Sequence, residues 1–186
     1  MRSKTIPPDA EVIRTYDEVR DFRDAFFQGE FPFLLLVGRQ GLSKSWEFAQ
    51  RCRPYVDRDG NEITVAHYQK GNITPVEAHR TAYHNRNKLL VFDDAERLWA
   101  EPTGRFLLRD LTECNARKMI HWRTANQNLA NEGIPQSFET TSRVCLILNR
   151  FAFGDVAEYD AIVDRAQFVY FDPTPLEIHK LSLIHI

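Results

Sequence analysis

Short runs of unbroken apolar residues alternate along this chain with longer segments whose apolar positions recur every three or four residues. The first kind reads as strands buried on both faces, the second as helices with one buried stripe. Residues 33–37 (FLLLV), 87–94 (NKLLVFDD), 118–124 (KMIHWRT), 143–148 (RVCLIL) and 167–171 (QFVYF) are expected strands, with 64–68 a further one. Residues 16–28 carry Val19, Phe22, Phe26 and Phe27 at helical spacing and stop at Gly29. Further helices are expected from Lys44 to about Arg51 and from a capping box at Thr74-Pro75-Val76-Glu77 to about His84. Two more fall over 103–114, with Phe106, Leu107, Leu111 and Cys114 inward, and over 157–165. Residues 1–12 read as an extended arm, 57–61 as a turn and 125–141 as a polar connection. Strands alternating with helices predict an α/β fold around a mainly parallel sheet.

The strand at 33–37 runs into Gly38-Arg39-Gln40-Gly41-Leu42-Ser43-Lys44-Ser45, and there the pattern acquires chemistry. In a strand–loop–helix of this kind, backbone N–H groups and the helix dipole converge on phosphate oxygens. Gly38, Lys44 and Ser45 meet the spacing G-x-x-x-x-G-K-[ST], with Ser43 standing where the last glycine is expected. Lys44 would reach the β- and γ-phosphates of ATP, Ser45 would hold Mg²⁺, and Gly38 and Gly41 would let the backbone turn close to the phosphates. Ser43 suits this role if its φ is negative or mildly strained. The competing reading is a glycine-containing turn with a chance Lys-Ser pair; a strand before and a helix after favour the phosphate loop.

A second strand ends in the acidic pair Asp93-Asp94. Ligands of parallel α/β sheets bind at the C-terminal ends of the strands, and the phosphate loop leaves such an end. Asp93 is therefore expected beside Ser45 and the metal, and Asp94 is placed to polarise an attacking water. The alternative is a solvated strand end with Asp94 capping the next helix. Glu96 is near in sequence but points elsewhere if Ala95 and Glu96 begin a helix. Asn149 closes the strand at 143–148 and could orient that water or touch the γ-phosphate; alone it would read as a turn residue. Arg165 precedes the last strand, where a guanidinium could stabilise transition-state charge on a nucleotide held by a neighbouring subunit, or form an ordinary surface ion pair.

Composition narrows the picture without directing it. The chain has 186 residues, 43% hydrophobic and 27% charged, a size and balance that suit one globular domain. A net charge of −2 offers no global argument for nucleic acid. Cys52, Cys114 and Cys145 are widely spaced and lack any C-x-x-C, so they read as reduced thiols, and a cytoplasmic location is expected. No apolar run approaches the ~20 residues of a membrane span. No histidine stands at a trustworthy metal-ligand spacing, so no zinc site is expected.

The loop, the acidic strand end, a strand ending in asparagine and an arginine before a last strand occur in one order. In this the chain resembles the AAA-plus ATPases over roughly residues 13–180. Gly38, Lys44 and Ser45, with Gly41 inside, match the Walker A loop that Arg39, Gln40, Leu42 and Ser43 complete. Asp93 and Asp94 match Walker B, Asn149 matches sensor 1 and Arg165 the arginine finger. The resemblance implies a five-stranded parallel sheet in the order 5-1-4-3-2, ATP and Mg²⁺ as cofactors, and a homo-oligomer that turns hydrolysis into mechanical work. It divides the chain into an arm (1–12), an ATPase core (13–174) and the start of a helical lid (175–186). The closing hexapeptide LSLIHI reads as a tail the natural chain would not carry, so truncation within the lid is expected. Two departures stand out: Ser43 for glycine, and Asp94 where the family has a glutamate one methylene longer.

Members of that family that act on DNA often place a β-hairpin before sensor 1. Lys118, His121 and Arg123 are interspersed here with Met119, Ile120 and Trp122, which could follow a phosphate backbone and stack a base. Trp122 in the core and the charges on a solvated edge is the favoured alternative. The function expected is an ATP-driven motor or loader in DNA replication or mobile-element transactions. A nucleotide-dependent assembly switch with slow hydrolysis is the runner-up. A P-loop kinase comes third, because it would leave Asn149 and Arg165 unexplained.

Overall fold

The computed structural model describes residues 9–123, 126–150 and 157–184. The long apolar runs became the centre of one sheet because every residue in them is covered. β2 (Phe33–Gly38), β6 (Leu89–Asp93) and β9 (Val144–Leu148) are buried along their whole lengths. Their side chains divide by parity, as the period of a strand requires. Phe33, Leu35, Val37, Leu90, Phe92, Val144, Leu146 and Leu148 feed one core, while Leu34, Leu36, Leu89, Val91, Cys145 and Ile147 feed a second on the opposite face.

Helices cover both faces. On one side lie α1 (Tyr16–Gln28) and α2 (Lys44–Arg51), through Phe26 and Phe48. On the other lie α3 (Pro75–His84), α4 (Glu96–Ala100), α5 (Pro102–Leu111) and α7 (Ala157–Val163), through Ala78, Leu98, Leu107 and Ile162. Both expected start signals are present: Thr15 with Glu18, and Thr74 with Glu77, form reciprocal capping boxes. α1 stops at Gly29, which takes φ 95° and returns its N–H to the last turn. The result is a three-layer α/β sandwich.

The central sheet is parallel throughout and has six strands, not five. With β1 (Glu11–Ile13), β5 (Ala66–Lys70) and β10 (Gln167–Phe171), its order is β1-β10-β2-β9-β6-β5. That differs from the five-stranded order expected, and the difference is β1, which adds at the edge beside β10. The arm expected over residues 1–12 thus gives way to a strand from Glu11, while residues 1–8 lie outside the described part. A three-residue strand with only Ile13 buried carries too little pattern to be seen in isolation.

The polar connection expected at 125–141 also holds structure: α6 (Gln127–Asn131) and β8 (Ser137–Thr140). β8 pairs antiparallel with β7 (Lys118–His121), and β7 packs on α5. A small hairpin, β3 (Tyr55–Val56) with β4 (Glu62–Ile63), carries the expected turn, and α8 (Pro175–Ile184) closes the described chain. Among the described residues no helix is long and apolar enough to cross a membrane.

Candidate nucleotide site

Because β2, β5, β6 and β9 run parallel, their C-terminal ends meet along one edge of the sheet. There they open a cleft of about 600 Å³, bordered by the loop 40–45, Trp46, Tyr68, Lys70, Asp94 and Asn149. The loop leaves β2 at Gly38, whose missing Cβ is a packing requirement. A methyl there would sit 2.7 Å from the Phe171 carbonyl oxygen and 3.3 Å from the Lys44 side chain. Gly41 takes φ 81°. Ser43 takes φ 52° and ψ 15°, the left-handed conformation of a glycine, rather than the negative φ that would suit a serine. Its side chain makes no capping bond, so the loop carries roughly 1 kcal/mol or more of backbone strain at this residue.

Lys44 begins α2 and is 4% exposed. Its ammonium donates to the carbonyls of Gly38 (2.6 Å) and Arg39 (2.9 Å) and to Asn149 Oδ1 (3.3 Å). Burial pulls its pKa down to about 8, while the carboxylates of Asp93, Asp94 and Glu96 pull the other way. A cationic charge is thus held, partly desolvated, among backbone oxygens and acids.

Three strand ends converge on that ammonium. Asn149, after β9, donates its side-chain amide to Asp94 Oδ1 (2.6 Å) and its backbone N–H to Glu96 Oε1 (2.7 Å). Asp94 follows β6 and takes φ 56°, a second strained residue at the same edge. Its N–H closes onto Asp93 Oδ1 (3.0 Å). Asp93 itself is 1% exposed, and its other oxygen accepts a 2.5 Å hydrogen bond from the Tyr68 hydroxyl. Ser45 borders the same cleft beside Tyr68. Desolvation, first, and then the Asp93 hydrogen bond push the Tyr68 phenol far above its usual range.

Lys44, Asn149, Asp94 and Asp93 are therefore linked at one edge, and Ser45 borders the same cleft. Arg165 is not with them. It precedes β10, at the opposite end of the strands, where its guanidinium donates to the Arg109 carbonyl of α5 (3.0 Å). Glu96 corrects the sequence reading: it does begin a helix, yet its carboxylate turns back to Asn149 instead of away from the site. Tyr68 was missed altogether. Its signal was positional, since it ends an expected strand parallel to β6, and such ends share the ligand edge.

The hairpin read as a candidate DNA contact is largely packed away. Lys118 is 3% exposed, with its ammonium on the Leu111 carbonyl (2.8 Å), and Trp122 is buried against Leu129 and Ile134. Met119, His121 and Arg123 remain exposed, Arg123 lying over the Phe106 ring.

No family model matches the sequence, and no curated protein matches it. Among solved structures the chain is similar to one described as the active helicase SCCmec type IV Cch, at 17% identity and a TM-score of 0.42. That alignment covers 89% of this chain and 28% of the other, so this chain spans little more than a quarter of that protein's length.

Proposed function

We propose that this chain is a P-loop ATPase of AAA-plus type that binds ATP with Mg²⁺ at the 38–45 loop and hydrolyses it. Its role would be that of a homo-oligomeric motor or loader in DNA transactions such as replication or mobile-element maintenance. One observation carries the ATPase part: three strand ends far apart in sequence meet at Lys44, through the 3.3 Å contact to Asn149 and the 2.6 Å contact from Asn149 to Asp94. The DNA part rests on family resemblance alone.

The donor set suits magnesium. Ser45 offers a hydroxyl and Asp93 a carboxylate, both hard oxygen donors of the kind that ion selects. Bound there, Mg²⁺ would offset charge on the β- and γ-phosphates. The chain's own groups would do the rest. The backbone N–H groups of the loop and α2 bind phosphate oxygens, and Lys44 exchanges its loop carbonyls for the terminal phosphates. Asp94, oriented by Asn149, accepts a hydrogen bond from the attacking water. Arg165 would act on the nucleotide of an adjacent subunit.

The bond from Asn149 to Asp94 also favours a second reading, an assembly switch with slow turnover. A carboxylate already satisfied by an amide is a weaker acceptor for water. Both readings are separated by measuring phosphate release beside oligomer size in ATP and in ADP. The motor reading expects Mg²⁺-dependent release that Arg165→Ala lowers without loss of nucleotide binding. Release that stays negligible while ATP alone drives assembly would select the switch.

A further inference from the structure

Of the two groups proposed to serve the metal, Asp93 is not free for it in this structure. Asp93 has one oxygen on the Asp94 N–H and the other on the Tyr68 hydroxyl, and it does not border the cleft, whereas Tyr68 does. Tyr68 has a single hydroxyl proton and donates it to Asp93. Its phenol thus stands between that carboxylate and the cleft that Ser45 also borders. Tyr68 is half-buried and stands beside about 600 Å³ of open cleft, so its ring has somewhere to go.

We propose that Tyr68 sets the metal affinity of this site: its hydroxyl covers Asp93 in the free protein, and Mg²⁺ enters only as that hydroxyl leaves. This rests on the nucleotide reading above and adds to it a competition. Nucleotide binding without magnesium uses the loop N–H groups and Lys44, none of which Tyr68 touches, so Tyr68 is neutral there. With magnesium, the hydrogen bond of the phenol to the Asp93 carboxylate must be given up first. Tyr68 acts through Asp93, as a positioning residue.

The test is the binding of a fluorescent, non-hydrolysable ATP analogue, titrated with MgCl₂, by the wild type and by Tyr68→Phe. The phenylalanine keeps the ring and deletes the hydroxyl. The Mg²⁺ concentration giving half-maximal enhancement should fall roughly tenfold, as expected for removal of a hydrogen bond to a charged group. Affinity in EDTA should stay within about twofold. An unchanged midpoint overturns the inference, as does a higher one, which would make the phenol a retained relay. If the wild type binds the analogue under neither condition, the nucleotide reading falls and this inference with it; if it binds and only the midpoint fails to move, this inference falls alone. Should Tyr68→Phe not fold, the wild type still decides. A tyrosine difference absorbance must appear on adding MgCl₂ with the analogue and be absent with the analogue in EDTA; no such signal overturns the proposal.

Discussion

Lys44 and Lys118 invite comparison, because by burial alone they are the same residue. They are 4% and 3% exposed, both donate to backbone carbonyls, and desolvation pulls both pKa values down to about 8. Their company differs. Lys44 lies among three carboxylates and an amide at the mouth of a cleft, on a loop strained at Ser43. Lys118 ties the start of β7 to the end of α5 through the Leu111 carbonyl, and its apolar stem is packed away. A buried cation is thus no sign of function by itself. What distinguishes the Lys44 end is that several polar groups from different strands converge on open space.

The sharpest way to break that contrast is to remove each charge in turn. Lys44→Ala should lower Mg²⁺-dependent ATP turnover by at least about 100-fold, the usual cost of losing a charge that meets the transition state. Lys118→Met should leave turnover within about twofold of wild type. Phosphate release at saturating ATP measures both, and equal effects of the two substitutions would erase the distinction.

A smaller effect separates them by pH. The folded chain releases the Lys118 proton near pH 8, whereas the unfolded chain keeps it up to the ordinary lysine value near 10.4. Between those values the unfolded state binds more protons, so stability rises with pH, by on the order of 2 kcal/mol from this group. Denaturant unfolding at pH 7 and at pH 10 should show that increment in the wild type and lack it in Lys118→Met. Lys44 is present in both proteins, so its own titration cancels in the difference.

The smallest expected change is at the loop. Ser43→Gly relieves a left-handed serine and should raise stability by about 0.5–1 kcal/mol, since glycine's larger unfolded-state entropy offsets part of the relief. Equilibrium unfolding reads this directly. A loss of stability would mean that the hydroxyl holds the loop in a way the geometry does not reveal.

Much of this architecture was legible as pattern. The runs at 33–37, 89–92 and 144–148 have no polar residue to place on a solvated face, so they had to be interior strands. Thr74 to Glu77 announced a helix by its own capping chemistry. β1 and β8 were not legible, because a strand of three or four residues with half its positions exposed carries too little periodicity to stand out. The loop and the acidic strand end were visible as candidates for the same reason as the strands: local spacing implies local geometry.

The contacts across the cleft were not visible, since they join residues that the chain places far apart. Asn149 lies 105 positions from Lys44, and Tyr68 lies 25 from Asp93. Glu96 shows the limit most plainly. A helix starting there was expected to turn it away, yet whether its carboxylate faced water or the Asn149 N–H depended on where β9 ended beside it. Local sequence determined which segments became strands and helices and where the glycine-containing loop between β2 and α2 stood, because propensity, capping and apolar periodicity act over a few residues. Only the parallel register of β5, β6, β9 and β2 decided which side chains share the cleft, because side-chain direction across a sheet is set by the neighbouring strand.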